Sequence, residues 1–333
     1  MAQINELAPN TATNHQGRLA YVPDNLLPKT ITGPIFQKAQ ESSLALRLGT
    51  PIPVTFGETV IPVTTKRPEV GQVGTGTTNA QREGGVKPLS GTAWSSKSFQ
   101  PIKIATIVTF SEEFAKTNPQ GFYDQIRTDL AFAIGRGIDL AVFWGKQPLT
   151  GGALLGIDAS NVIGNTTNAV NFPDTTTTSV FDDLLAGYDL VSANPDFEFN
   201  GWAVDPRFKS TLIREAAARD ITGKTLNVSD VNLAAGVGDI LGYSAHYGRA
   251  VSGQLGAAPD TGIRVIGGDF SQLRIGFADS IRYKFTDTAT LSDGTNTVSL
   301  WQTNQAALLV EVTFGWVLGD QKAFVKFNNV KTP

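Results

Sequence analysis

Residues 118–145 read NPQGFYDQIRTDLAFAIGRGIDLAVFWG, and this stretch decides the architecture of the chain. Asn118 is a cap residue, Pro119 suits a first helical position where its missing N–H costs nothing, and Asp124 lies near the positive end of the helix dipole. Phe122, Ile126, Leu130, Ile134, Ile138 and Val142 recur at four-residue spacing with Ala133, Ala141 and Trp144 beside them, until Gly145 offers a left-handed stop. At ~1.5 Å per residue the pattern predicts a helix roughly 40 Å long. Gly135 and Gly137 should soften its middle by about 1 kcal/mol each. Such a helix is a structural beam.

Immediately before the beam, Ile102, Ile104, Thr106, Val108 and Phe110 share one face of a strand predicted over 99–110. An earlier strand is predicted over 52–63, where Ile52, Val54 and Phe56 alternate with other residues and Val60 to Val63 resumes after Gly57. Between them, residues 64–98 carry few large apolar side chains (Val70, Val73, Val86, Leu89, Trp94) among Gly71, Gly74, Gly76, Gly84, Gly85 and Gly91. A segment so poor in core residues cannot bury itself, and its flanking strands predict a long two-stranded finger that needs a partner surface. Further upstream, Pro9, Pro23 and Pro28 keep residues 1–31 from forming a helix, so this part reads as an arm. Thr32-Gly33-Pro34 then opens a helix predicted to run three to four turns through Ile35, Ala39, Leu44, Leu46 and Leu48 to Gly49.

Downstream of the beam, residues 149–178 have the Gly, Asn and Thr content of a connection. A helix over 180–193, a strand over 200–205 and a proline-led helix over 206–219 make residues 180–262 an α/β unit. The remainder is strand-rich: Ile281, Tyr283 and Phe285 alternate, Asp293-Gly294 supplies a hairpin turn, Leu308, Val310, Val312, Phe314 and Trp316 alternate, and 323–327 closes the chain.

Composition narrows the function classes. The 333 residues suit two domains or one elaborated domain, and 41% hydrophobic against 17% charged residues describes a globular chain. A formal charge of −3 gives no polybasic surface for gripping nucleic acid by sequence, and Cys 0 excludes disulfides, thiolate metal sites and cysteine catalysis. No signal peptide or membrane span is read: Met1 to Asn10 has no apolar core run, and Ala306 to Leu318 is interrupted by Glu311.

Motifs that suggest chemistry fail on inspection. Ile221-Thr222-Gly223-Lys224-Thr225 resembles the tail of a phosphate-binding loop, but Ala218 stands where its first glycine belongs and a helix precedes it rather than a strand. Gly236 and Gly238 lack a third glycine at Leu241. His15 and His246 are far apart, the first in the arm, and His246 between Tyr243 and Tyr247 reads as a partly packed structural residue. The pairs Glu112-Glu113 and Asp182-Asp183 sit at predicted helix N-termini, where the dipole favours negative charge. The chain reads as a non-enzyme, with no catalytic residues, no cofactor and no metal.

The order of elements then becomes informative: arm, short helix, glycine-rich finger, beam helix, α/β unit, closing antiparallel sheet. This order resembles the major capsid protein of tailed bacteriophages, an α+β HK97-like fold shared with encapsulins. The resemblance covers about Leu26 to Phe327. It rests on Leu27-Pro28 through Ile35 to Ser43-Leu44, on Ile61-Pro62, and on Asn200-Gly201-Trp202-Ala203-Val204-Asp205-Pro206-Arg207 with Arg219-Asp220 and Gly223-Lys224-Thr225-Leu226. Ile240-Leu241-Gly242-Tyr243, Gly268-Asp269-Phe270 and Ala323-Phe324 complete it.

The resemblance implies an N-terminal arm and short helix at 1–49, a β-hairpin E-loop at 50–110, a P-domain at 111–179 and 263–333 with spine helix and antiparallel sheet, and an A-domain at 180–262. It implies assembly of the protein with itself, as hexamers and pentamers, into an icosahedral shell that encloses double-stranded DNA without sequence-specific contacts. The shell would form in the host bacterial cytoplasm and become the virion capsid, with no membrane involved. No long charged helix precedes the arm, so a separate scaffolding protein is expected, together with a portal and a decoration protein. Arg67, Glu69, Arg82, Glu83, Lys87 and Trp94 are the expected inter-subunit contacts of the finger, the charged ones because they interrupt a Gly/Thr-rich loop. Asp239 and Gly242 are expected near the capsomer axis. One family member cross-links a finger lysine to a distant asparagine, for which Lys87 and Lys97 against Asn328 and Asn329 are formally available. Two rival readings remain: an encapsulin-type nanocompartment shell packaging protein cargo, and a β-rich tail or adhesion protein, which would not need the beam helix.

Overall fold

The computed structural model describes residues 43–66, 68–73, 85, 87–113, 119–172, 180–212, 238–279, 281–292 and 296–329. Its elements run α1 (Leu44–Leu48), β1 (Thr50–Pro51), β2 (Thr59–Lys66), β3 (Ala93–Phe99), β4 (Ile102–Ser111), α2 (Pro119–Trp144), β5 (Ala169–Phe172), α3 (Val180–Ser192) and β6 (Gly201–Val204). They continue with β7 (Asp239–Ile240), β8 (Tyr243–Tyr247), β9 (Ile263–Gly268), β10 (Leu273–Phe277), β11 (Arg282–Thr286), β12 (Thr290–Ser292), β13 (Thr297–Ser299), α4 (Leu300–Thr303), β14 (Gln305–Leu318) and β15 (Phe324–Asn329). Among the described residues no helix is long and apolar enough to cross a membrane.

The beam forms as its spacing predicts, and Gly145 ends it at φ +62°. Its apolar stripe packs on a sheet organised around β14, the longest strand. On one side β14 pairs with β4 along its length, from Gln305↔Ser111 to Phe314↔Ile102. On the other it pairs with β11 and then β10, both antiparallel, while β1 adds to β10 in parallel. Ile126, Leu130, Ile134 and Ile138 of α2 are buried in one core with Phe110, Val310, Val312, Phe314 and Trp316. Four-residue spacing on the helix thus meets two-residue spacing on the strands. Gly137 lets the layers close up, because a side chain there would press on Ile104.

A second sheet has the order β5-β15-β9-β6-β8-β7. Its core gathers around Trp202, with Phe172, Phe199, Phe208, Phe327 and Val265. Asp182 and Asp183 lie in the first turn of α3, as the dipole argument expects. Asp293-Gly294 falls outside the described residues, but β12 and β13 pair on either side of it, Ser292↔Thr297 nearest the turn.

Four boundaries differ from the sequence expectation. The helix expected from Thr32 to Gly49 does not run through Ser43, which is extended (φ −89°, ψ 126°) and caps a new five-residue helix by accepting from the Leu46 N–H; its earlier part lies outside the described residues. The strand expected over 52–63 is divided, with 52–58 in neither β1 nor β2. The strand expected over 99–110 is broken at Gln100-Pro101, where proline has no N–H for a ladder. The helix expected over 206–219 starts as a 3-10 turn at Pro206–Phe208 and stays helical to residue 212, the last one described there.

Candidate assembly surfaces

The finger is β2 paired with β3, and among the described residues no third strand joins them. Its register runs Thr59↔Phe99, Val60↔Ser98, Ile61↔Lys97, Pro62↔Ser96 and Thr64↔Trp94, with an irregularity before Lys66↔Ala93. Paired residues share a face, so Ile61, Lys97 and Phe99 point one way and Val60, Pro62 and Trp94 the other. The first face anchors the finger. Phe99 packs with Val54 and Val317, Ile61 lies against them, and the Lys97 ammonium donates to the Leu318 carbonyl at 2.8 Å. Gly315 makes room for the Phe99 ring, which a side chain there would strike.

The second face is open. Val60 is 59% and Trp94 66% exposed, and Phe56 near the base and Val70 and Leu89 toward the tip are exposed as well. A two-stranded ribbon is marginal by itself in water, and a run of exposed large apolar side chains marks an interaction surface. Of the expected contact residues, Trp94 directs its indole N–H to Thr92 Oγ1 at 3.1 Å, the Glu69 backbone N–H donates to Ser90 Oγ at 2.6 Å, and Lys87 is exposed. Arg67, Arg82 and Glu83 lie outside the described residues. Asp239 pairs with Ser244 one position beyond the closing Ile240↔Tyr243 pair, and Gly242 is the second residue of the two-residue hairpin turn between β7 and β8, with Leu241 (φ +53°) and Gly242 (φ +78°) both left-handed. That is the twist a tight hairpin demands. The segment 226–236 beside it, and the phosphate-loop-like 221–225, lie outside the described residues.

Lys97 and Asn328 are both engaged within their own chain, Lys97 with Leu318 and Asn328 with the Asn171 side chain at 2.8 Å. Among the described residues no group of three or more His, Asp or Glu could hold a metal ion.

Sequence reasoning missed the seat of α1. Asp139, on α2, is fully buried and receives three donors from the start of α1: Ser43 Oγ at 2.5 Å and the N–H groups of Leu44 at 3.1 Å and Ala45 at 3.0 Å. At the other end of α1, Arg47 donates to His246 Nδ1 on β8 at 3.1 Å. Leu44 sits against Gly248, where a side chain would collide with it. The short helix therefore bridges the spine helix and the second sheet. Burial and the nearby Arg47 both hold the His246 pKa below its usual value.

A second charged cluster ties the start of the 206–212 segment to the loop before β9. Arg207 meets the buried Asp205 at 2.7 Å, Asp260 at 2.8 Å and the Gln254 side chain at 2.9 Å, while Arg264 meets Asp260 at 2.9 Å. Burial pushes the Asp260 carboxyl up, but hydrogen bonds from Arg264, the Gly262 N–H and Arg207 outweigh it and hold the pKa at about 2.

Burial outweighs the three hydrogen bonds at Asp139 and pushes its pKa from 3.8 up to about 6. A carboxyl raised in the folded state binds its proton more tightly there, so its contribution is fully present below pH 3.8 and is lost as pH rises through about 6. On going from pH 7.5 to pH 5, wild type should gain about 1 kcal/mol of stability relative to Asp139→Asn. Parallel pH series of thermal melts check this; equal pH slopes for the two proteins would contradict it.

Comparison with known proteins completes the description. The model of the phage capsid family matches residues 24–329. The probable major capsid protein gp17 of Mycobacterium phage D29 is 32% identical over 268 residues, which is 74% of this chain and 75% of that protein. A solved structure from Gordonia phage Cozz is 33% identical and superimposes with a TM-score of 0.70 over 87% of both chains. The capsid of an empty GTA particle has the same fold at 13% identity, with a TM-score of 0.52 over 99% of this chain and 98% of that one. Sequence and fold agree along nearly the whole chain: it belongs to the phage capsid family.

Proposed function

We propose that this protein is the major capsid protein of a tailed phage and builds the virion shell from copies of itself. The family match and the relatives named above support this reading, and phage relatives leave the encapsulin and tail-protein readings without support. The observation that carries it is the finger: anchored at its base by Phe99 and Lys97, it holds Val60, Pro62 and Trp94 outward, and among the described residues nothing covers them.

In finer terms the fold is HK97-like. Residues 1–49 form the arm and short helix, 50–110 the E-loop, 111–179 with 263–333 the P-domain, and 180–262 the A-domain. Hexamers and pentamers close the shell in the host cytoplasm. A separate scaffolding protein, a portal and a decoration protein assist, and double-stranded DNA is packed inside without sequence-specific contacts. The role is structural, not enzymatic. Arg67, Glu69, Arg82, Glu83, Lys87 and Trp94 meet neighbouring subunits, and the hairpin carrying Asp239 and Gly242 lies near the capsomer axis.

Ion pairs at a subunit boundary fix register and exclude wrong partners more than they add affinity. Arg82→Glu and Glu83→Lys, made singly, should each lower the yield of closed particles while leaving the subunit soluble, as read by sedimentation. Normal particle yield from both variants would remove these residues from the interface.

A further inference from the structure

We propose that the outward face of α3 docks on the Lys209 and Arg249 end of a second copy of this chain, so that copies join head to tail. The inward face of α3 is Val180, Leu184, Gly187 and Val191, all buried, and at Gly187 the helix comes so close to the Phe327 ring that a side chain would strike it. At ~100° per residue, Leu185, Ala186, Asp189 and Leu190 point away from the sheet. A helix on the surface of a subunit should be polar on that side, yet Leu185 is 38% and Leu190 46% exposed. The stretch 180–204 around them carries Asp182, Asp183, Asp189, Asp196 and Glu198 and neither lysine nor arginine.

The second sheet separates the charges along its strands. Tyr188 packs on Phe199, just before β6, and on Tyr243, the first residue of β8, which puts Asp189, Leu190 and Glu198 at the starting end of these strands. β6 and β8 are parallel, from Trp202↔Ala245 to Val204↔Tyr247, so the residues that follow them lie at the other end. There Lys209 stands over the Tyr247 ring at 5.4 Å and Arg249 is exposed. Arg207 and Arg264 are neutralised by Asp205 and Asp260, whereas among the described residues Lys209, Arg249, Asp189 and Glu198 are in no ion pair. Carboxylates beside two leucines at one end and cations beside an aromatic ring at the other are complementary, and one subunit cannot bring its own two ends together. Two different patches meeting between copies make a heterologous contact, the kind that closes into rings. The choice of a second copy as the occupant rests on the capsid reading above, in which copies of this chain build the shell.

The chain has no cysteine, so introduced thiols report on themselves alone. Ala186→Cys and Leu190→Cys are each combined with Ser210→Cys, an exposed position next to Lys209, in the full-length protein under mild oxidation. A single cysteine links only two copies, so each single variant should stop at a dimer. At least one double variant should give a ladder of three or more copies on a non-reducing gel. Reversing one end, by Asp189→Lys with Glu198→Lys or by Lys209→Glu with Arg249→Glu, should lower the ladder about tenfold, and reversing both ends together should restore it. Dimers at most from both double variants, or a ladder indifferent to charge reversal, would overturn the proposal. Shells without a ladder would overturn the docking and leave the capsid reading intact; a ladder without shells would uphold the docking and count against that reading.

Discussion

Subunits carrying Val60→Asp and Trp94→Asp together are expected to fold with an unchanged melting temperature and to lose closed shells almost completely. Both side chains stand on the outer face of the β2–β3 ribbon, 59% and 66% exposed, and neither contributes to the cores of the subunit. Among the described residues nothing faces a charge placed there in the isolated subunit, and surface substitutions stay within roughly 0.5 kcal/mol. Against a neighbour the same carboxylates would be buried. Central aromatic or aliphatic anchors of an interface contribute about 2 kcal/mol or more, which is roughly thirtyfold per contact. A closed shell repeats the contact at every subunit, so the loss multiplies. Phe99→Ala is the contrasting variant: it removes the anchor at the base of the finger and should lower stability as well as assembly. Particle yield by sedimentation, set beside thermal melts, separates the two. Normal shells from the double variant would show that the outer face of the finger is not an interface.

Asp139→Ala should cost about 3 kcal/mol or more, lowering the melting temperature by roughly 4 °C. The substitution leaves three donors buried without their acceptor: the Ser43 hydroxyl and the Leu44 and Ala45 N–H groups. Leu44 and Ala45 are themselves 2% and 0% exposed, so water does not reach the vacated position unless α1 lifts away. Hydrogen exchange should accordingly show loss of protection over 44–49 beyond the global change. Asp139→Asn keeps an acceptor and should fall between wild type and alanine. An alanine variant with wild-type melting and unchanged protection over 44–49 would mean that the carboxylate does not hold the helix.

What the sequence shows and what it hides divides along the range of the interactions. The beam was legible because four-residue spacing, Pro119 and Gly145 are all local signals, while the expected cap Asn118 lies outside the described residues. The long alternation of β14 and the turn composition between β12 and β13 were legible for the same reason. The finger was legible by default, since a glycine-rich stretch with so few apolar side chains has no way to bury itself. The start of α1 was not, because the partner that holds its cap residue Ser43 is Asp139, 96 residues away. The Arg207, Asp260 and Arg264 cluster was hidden likewise, its members joined by a loop closure of 53 residues that no local pattern encodes. The outward face of the finger depended on register: Trp94 was singled out, but Val60 opposite Ser98 shares its face only because Thr64 lies opposite Trp94.

Expression of the chain alone and together with its neighbouring phage genes, followed by sedimentation and negative-stain electron microscopy, tests shell formation most directly. Closed shells or rings of capsomers, with nucleic acid rather than protein cargo inside filled particles, are the expected result. A strictly monomeric species under every condition, with the finger cut readily by protease, would contradict it.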